Sequence, residues 1–150
     1  MLSGGQDSLP LLIKGGADFN RKNNAGFTPL QHAIRGKAEN AIQFLLELGA
    51  SQNKTIDLNT RNLKGTSGLH DASSEGFLKI VEMLISAGTN GALDMEVQDF
   101  AGTTALHKAA KEGQLEMARL LLNNGAQLNK IDDTGLTPSH YAVSFSAMRL

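Results

Sequence analysis

The chain has 150 residues, of which 41% are hydrophobic and 19% charged, a balance that suits one folded domain and excludes a disordered segment. Its formal charge of −1 supplies no field that would recruit nucleic acid or an anionic membrane. It contains no cysteine, which excludes disulfides and thiolate-held metal, and no apolar run approaches membrane-spanning length.

In chain order, residues 1–16 hold one short apolar run, Leu9-Pro-Leu-Leu-Ile13. It follows Asp7 with no basic residue ahead of it, a poor secretory signal. The run reads as the second helix of a pair whose first helix has no counterpart. From there glycines set the rhythm. One opens each helical segment at Gly26, Gly65, Gly102 and Gly135, and another closes one at Gly16, Gly49, Gly88 and Gly125. Opener to closer is always 23 residues, whereas closer to next opener is 10, 16, 14 and 10. The helical part is therefore invariant, and extra residues fall in connecting hairpins, where added length costs little entropy. The six extra residues of the first long connection are assigned to 51–56. Gly49, Gly88 and Gly125 are expected to adopt left-handed conformation.

Between each opener and closer the spacing predicts two short helices. Thr28, Ser67, Thr104 and Thr137 stand where a hydroxyl caps the first, and Pro29 and Pro138 follow where a missing N–H costs nothing. In the segment after Gly102, Leu106, Ala109 and Ala110 line one face of the first helix. Leu115, Ala118, Leu121 and Leu122 form the stripe of the second. Gly76 and Gly113 separate the helices. After Gly26 that glycine comes one residue early, as Gly36-Lys37, so either the turn is rearranged or Lys37 takes a positive φ at a cost of about 1 kcal/mol. The last segment is weaker. Ser139 replaces leucine, Ser146 replaces the interhelical glycine, and Met148 to Leu150 begin a second helix only. Neither helix of a pair can bury an apolar face alone, so the unit requires stacking on copies of itself.

Thr28-Pro29-Leu30, Leu69-His70, Ala105-Leu106-His107 and Thr137-Pro138-Ser139-His140, with the closers Gly16-Ala17-Asp18-Phe19-Asn20 and Gly125-Ala126-Gln127-Leu128-Asn129, resemble the ankyrin repeat. The resemblance covers nearly the whole chain. It implies an all-α ankyrin-repeat solenoid of stacked helix-turn-helix units joined by hairpin loops. The units are a half-repeat at 1–22, whole repeats at 23–61, 62–98 and 99–131, and a half-repeat at 132–150. It further implies an intracellular, cytoplasmic or nuclear, protein, either a monomer or a segment of a longer chain.

Catalytic chemistry finds no footing. His70, His107 and His140 lie one per repeat, and stacking sets like side chains in a row without a converging pocket. The resemblance implies that they tie neighbouring units through backbone hydrogen bonds, with Gln31 in that place in the first whole repeat. His32 lies off the column. Asp94, Glu96 and Asp99 lack the glycine turn and terminal glutamate of a calcium loop and read as a solvated loop. Arg21-Lys22 has no interleaved aromatics, so nucleic acid is not expected. No phosphate loop, nucleophile elbow or zincin motif occurs, and no cofactor or metal is expected. Asn20, Asn59 and Asn129 occupy hairpin places that the resemblance marks as open to asparaginyl hydroxylation. The plainer reading is an asparagine bonding local backbone.

The function that the resemblance implies is non-catalytic capture of a partner protein on a concave face built from hairpin tips and first helices. Carried over by register, the candidate residues are Phe27, Arg35, Leu63, Lys64, Asp71, Glu75, Phe100, Thr103, Lys108, Lys111, Glu112, Leu136 and Tyr141. Phe27, Leu63, Phe100 and Leu136 are read as one apolar row of tips. The alternative is a substrate-recruiting or regulatory segment of a larger enzyme or channel.

Overall fold

The computed structural model describes residues 8–51, 55–89 and 92–148. Eight helices follow one another among them: α1 (Ser8–Lys14), α2 (Pro29–Arg35), α3 (Glu39–Ser51), α4 (Gly68–Glu75), α5 (Leu78–Ala87), α6 (Ala105–Lys111), α7 (Leu115–Asn123) and α8 (Pro138–Met148). The hairpins between pairs form no strand among the described residues, only an isolated antiparallel bridge between Arg61 and Ser67.

Helices of seven or eight residues are marginal alone, so each first helix is held at its start. Thr28, Ser67 and Thr104 accept the N–H of the residue three positions on, and that residue returns an acceptor to the cap N–H. Glutamine does this at Gln31, whose Oε1 accepts the Thr28 N–H at 3.0 Å. Histidine does it at His70 and His107, whose Nδ1 accepts the cap N–H at 3.1 Å. These are capping boxes with an imidazole in the usual glutamate place. Thr137 and His140 repeat the contact at 3.0 Å.

The first helices α2, α4, α6 and α8 pack side by side in one layer, and α3, α5 and α7 in a second. The core lies between the layers and between repeats: Ile34, Leu69, Ala72, Ile80, Val81, Leu84, Leu106, Ala109, Met117 and Leu121 are all buried. Burying one such aliphatic side chain is worth about 1.5–3 kcal/mol.

Some expectations need correction. In α7, Leu121 is buried and Ala118 half-buried, but Leu115 and Leu122 are exposed, and Met117 takes the inner place. Leu115 shares its register with Glu39 and Leu78, which also reach solvent. Gly49 does not end a helix, because α3 continues to Ser51, and Gly88 has φ −93°. Gly16 and Gly125 do turn left-handed, at φ +82° and +95°. The distinction follows connection length. A ten-residue connection must turn within one residue, which requires glycine, whereas longer ones spread the turn over several. The hairpin register also moves the first insertion. Thr55 and Ile56 align with Gly16 and Ala17 and carry hairpin contacts, so the six added residues are 49–54 rather than 51–56. Lys37 adopts φ +53°, the one non-glycine with positive φ among the described residues. Without a glycine at Ser146, α8 runs on to Met148, so Met148 lies in a long first helix instead of opening a second, and Arg149 and Leu150 lie outside the described residues.

Candidate functional site

The hairpins are built by one residue that the sequence reading passed over. Three positions before each opening glycine stands Asn23, Asn62, Asp99 or Asp132. Its Oδ1 accepts two backbone N–H groups, two and four residues ahead: Ala25 and Phe27, Lys64 and Thr66, Ala101 and Thr103, Thr134 and Leu136, at 2.8 to 3.1 Å. An Asx side chain at a fixed interval before a turn glycine was the available signal.

Three lines of hydrogen bonds then tie each hairpin to the next. Asn20 Nδ2 donates to the Thr55 carbonyl at 2.7 Å while its Oδ1 accepts the Asp57 N–H at 3.0 Å. Asn59 repeats this with Ala92 and Asp94. These asparagines bond the neighbouring repeat's backbone rather than local backbone. Lys22, Arg61 and Gln98 share a register, and each donates to a carbonyl in the next hairpin: Arg61, Gln98 and Ile131 respectively. Further in, Gln31 Nε2 donates to the Thr60 carbonyl, and the outer ring nitrogens of His70 and His107 meet the carbonyls of Thr103 at 2.8 Å and Leu136 at 3.0 Å. Burial pushes the His70 pKa below its ordinary value. Among the described residues no group of three or more histidines, cysteines or carboxylates could hold a metal.

The acidic stretch is solvated at Asp94, which is exposed, but Glu96 and Asp99 are half-buried and bonded. Asp94 accepts the Glu96 N–H, and Glu96 crosses to the Gln127 N–H, both at 2.8 Å. Asp99 takes the Thr103 hydroxyl at 2.6 Å and Lys108 Nζ at 2.9 Å. Burial raises the Asp99 pKa, but the bonds from Thr103 and Lys108 outweigh it and hold the carboxyl at about 2.

The tip residues divide into two columns, not one row. Leu63 and Phe100 sit two residues before the opening glycine, at 68% and 67% exposure. Each covers the glycine of the preceding hairpin, where a Cβ on Gly26 or Gly65 would collide with it. Phe27 and Leu136 sit one residue after the glycine and are half-buried. The Arg35 guanidinium lies 4.6 Å from the Phe27 ring centroid and that of Arg61 lies 5.9 Å from Phe100, both within cation–π range.

On the first helices, Arg35, Asp71, Ser74 and Glu75 line a shallow depression with Phe77. Asp71 is half-buried with one carboxylate oxygen that has no hydrogen-bond partner among the described residues; burial raises its pKa against the pull of Arg35 and Lys108. Glu75, Lys64, Lys111 and Glu112 are exposed. Three candidates are committed elsewhere. Thr103 is buried and donates to Asp99, so it offers nothing to a partner. Lys108 is held by Asp99. The Tyr141 hydroxyl donates to Asp132 at 2.5 Å, and that bond pushes its pKa up to about 12 and draws Asp132 well below the carboxylate range. The Tyr141 ring also meets His107 edge to face at 5.7 Å. No described helix is long and apolar enough to cross a membrane.

The profile of a family described as ankyrin repeats, in three copies, matches residues 2–93 and again 69–149. Among curated proteins, a B-cell lymphoma 3 protein homolog of Mus musculus is 34% identical over 57% of the chain, which is 18% of that protein. The ANK repeat-containing protein nipk-1 of Caenorhabditis elegans is 40% identical over 45% of the chain and 10% of its own length. Protein phosphatase 1 regulatory subunit 27 of Homo sapiens is 37% identical over 38% of the chain and 37% of its own length. The matched stretch thus spans a minor part of each relative.

Proposed function

Because the chain belongs to the ankyrin-repeat family, we propose that it is a non-catalytic, intracellular module that holds a partner protein against its hairpin tips and first helices. On this reading 23–61, 62–98 and 99–131 are whole repeats and 1–22 and 132–150 half-repeats. The observation that carries the proposal is Phe100. Its hairpin is held by Asp99 and its repeat by His70 and His107, yet the phenyl ring stands 67% exposed beside Arg61. An exposed aromatic flanked by a cation is a strong anchor for a partner. Leu63 and Lys64 on the preceding tip, and Arg35, Asp71, Glu75, Lys111 and Glu112 on the helices, extend the surface. The minor share of each relative that is matched, and the naming of one relative as a regulatory subunit, favour a second reading, in which the array recruits or regulates for a larger protein.

The test pairs Phe100→Ala with Arg119→Ala, since Arg119 is exposed on α7, in the other layer. Against a partner captured by pull-down, Phe100→Ala is expected to weaken binding by about 2 kcal/mol or more in calorimetry, with thermal stability nearly unchanged. Arg119→Ala is expected to be silent in both. Loss of binding with Arg119→Ala alone would place the site on the other layer.

A further inference from the structure

Charge is not spread evenly over the two faces of the stack. From Phe19 to Ala38 and from Leu58 to His70 there is no carboxylate, and the lysines and arginines are Arg21, Lys22, Arg35, Lys37, Arg61 and Lys64. The second helices lean the other way: α3 carries Glu39 and Glu47, α5 Glu82 and α7 Glu116, against Lys79 and Arg119. Those two cations are engaged, Lys79 with Glu39 at 3.0 Å and Arg119 with Glu116 at 3.9 Å. On the hairpins, Arg61 and Lys64 have no carboxylate within ion-pair distance among the described residues. A guanidinium has five N–H donors, and Arg61 uses Nη1 on the Gln98 carbonyl at 3.1 Å. Lys64 is exposed, and its backbone N–H holds it to the turn by bonding Asn62 at 2.8 Å.

These cations flank an apolar pair. Leu63 and Phe100 lie on adjacent tips, Leu63 resting on Gly26 and Phe100 on Gly65, with Asp133 on Gly102 beyond them. Each therefore has a described hairpin on either side, and both reach solvent all the same. Arg61 stands over the Phe100 ring. The nearby carboxylates are engaged or set back. Asp99 holds Lys108 and Thr103, Asp71 is half-buried under the pull of Arg35, Lys108 and Lys64, and Glu75 ends α4 at the helix terminus away from the hairpin. Asp133, on the following tip, is exposed.

Resting on the reading that the tips hold a partner protein, we propose that the partner presents an acidic segment, its carboxylates meeting Arg61 and Lys64 and an adjoining apolar side chain lying against Leu63 and Phe100. The carboxylates run toward the first whole repeat, where Lys22 and Arg35 add positive charge, and away from Asp133. Arg61 suits this task, because a guanidinium stacked on a ring still offers a fork of donors to a carboxylate. Apolar contact supplies affinity, and charge supplies the choice of partner. A polypeptide fits the surface better than a nucleic acid does. Leu63 gives a base no aromatic face, and Phe100 is the one exposed ring on the described tips.

Selection of random dodecapeptides from a display library against the whole chain tests this. The selected peptides are expected to be net negative, to carry an aliphatic or aromatic residue beside their carboxylates, and to bind less well as salt is raised. Lys64→Glu is expected to weaken them about tenfold or more, and Arg119→Glu, in the other layer, to leave them unchanged. Should Lys64→Glu lower the melting temperature, Lys64→Gln replaces it, with a loss of about threefold expected. Neutral or basic peptides that depend on Phe100 would overturn the acidic partner and leave the tip reading standing. Acidic peptides indifferent to Lys64→Glu would do the same, as would a single-stranded oligothymidylate that binds more tightly than the peptides and is lost with Lys64→Glu. A selection that yields no peptide weakened by Phe100→Ala would overturn both readings together.

Discussion

The helices α6 and α8 begin with the same chemistry and reach different ends. Each starts from a threonine whose hydroxyl meets the Nδ1 of a histidine three residues on, at 2.8 and 2.7 Å. Each follows a hairpin organised by an aspartate. Yet His107 is 1% exposed and His140 lies at the surface, and Ala109 is sealed while Ala142 is not. Local sequence therefore makes the cap and the turn, and the neighbours confer burial. In a stack, stability sums the repeats' own terms and the interfaces between neighbours, and the same residue type carries different weight according to what flanks it.

The largest expected break in that comparison is Leu106→Ala, which opens a cavity between two repeats and is expected to cost about 2–5 kcal/mol in urea unfolding. Val143→Ala on α8, at 69% exposure, is expected to change stability by no more than about 0.5 kcal/mol in dilute solution. Similar losses at both would deny that neighbours set the weight. Next comes the histidine tie. His70→Ala leaves the Ser67 N–H without its partner and takes from the Thr103 carbonyl its bond to the preceding repeat, and a loss of about 1–3 kcal/mol is expected, against little for His140→Ala.

Proton linkage separates the histidine tie from simple packing. Burial lowers the His70 pKa, so the folded state favours the neutral ring and binds fewer protons than the unfolded chain in mildly acidic solution. Its contribution is present above the ordinary histidine range and is lost as pH falls through it. Stability is thus expected to decline from pH 7 to pH 5. His70→Gln, which copies the uncharged tie of Gln31, is expected to flatten that decline. An unaltered slope in His70→Gln would locate the titration elsewhere.

The smallest effect sharpens the comparison among hairpins. Asn20 and Asn59 clasp the next hairpin with donor and acceptor alike, but Glu96 in the same register only accepts, and its Oε2 is buried without a partner among the described residues. Glu96→Asn restores the donor and is expected to raise stability by about 0.5–1.5 kcal/mol, the net worth of one hydrogen bond. A lower melting temperature would mean that the longer side chain fits a connection the asparagine cannot span.

The glycine spacing, the capping hydroxyls and the apolar periodicity were enough to place the helix pairs and their stacking, because those signals act within a few residues of one another. The same local reasoning offered the positive φ at Lys37 as one of two outcomes and placed the histidines in one column. The candidate surface was legible only in part. The sequence placed Leu63 and Phe100 on tips, but it joined them to Phe27 and Leu136, which the fold turns inward. It offered Thr103 and Lys108 to a partner, and Asp99 takes both. Which leucine of α7 faces inward, which asparagine clasps which carbonyl and which acid is solvated all depend on atoms some 30 to 40 residues away in the chain. Spacing within a helix specifies a face; only the packed stack specifies what that face meets.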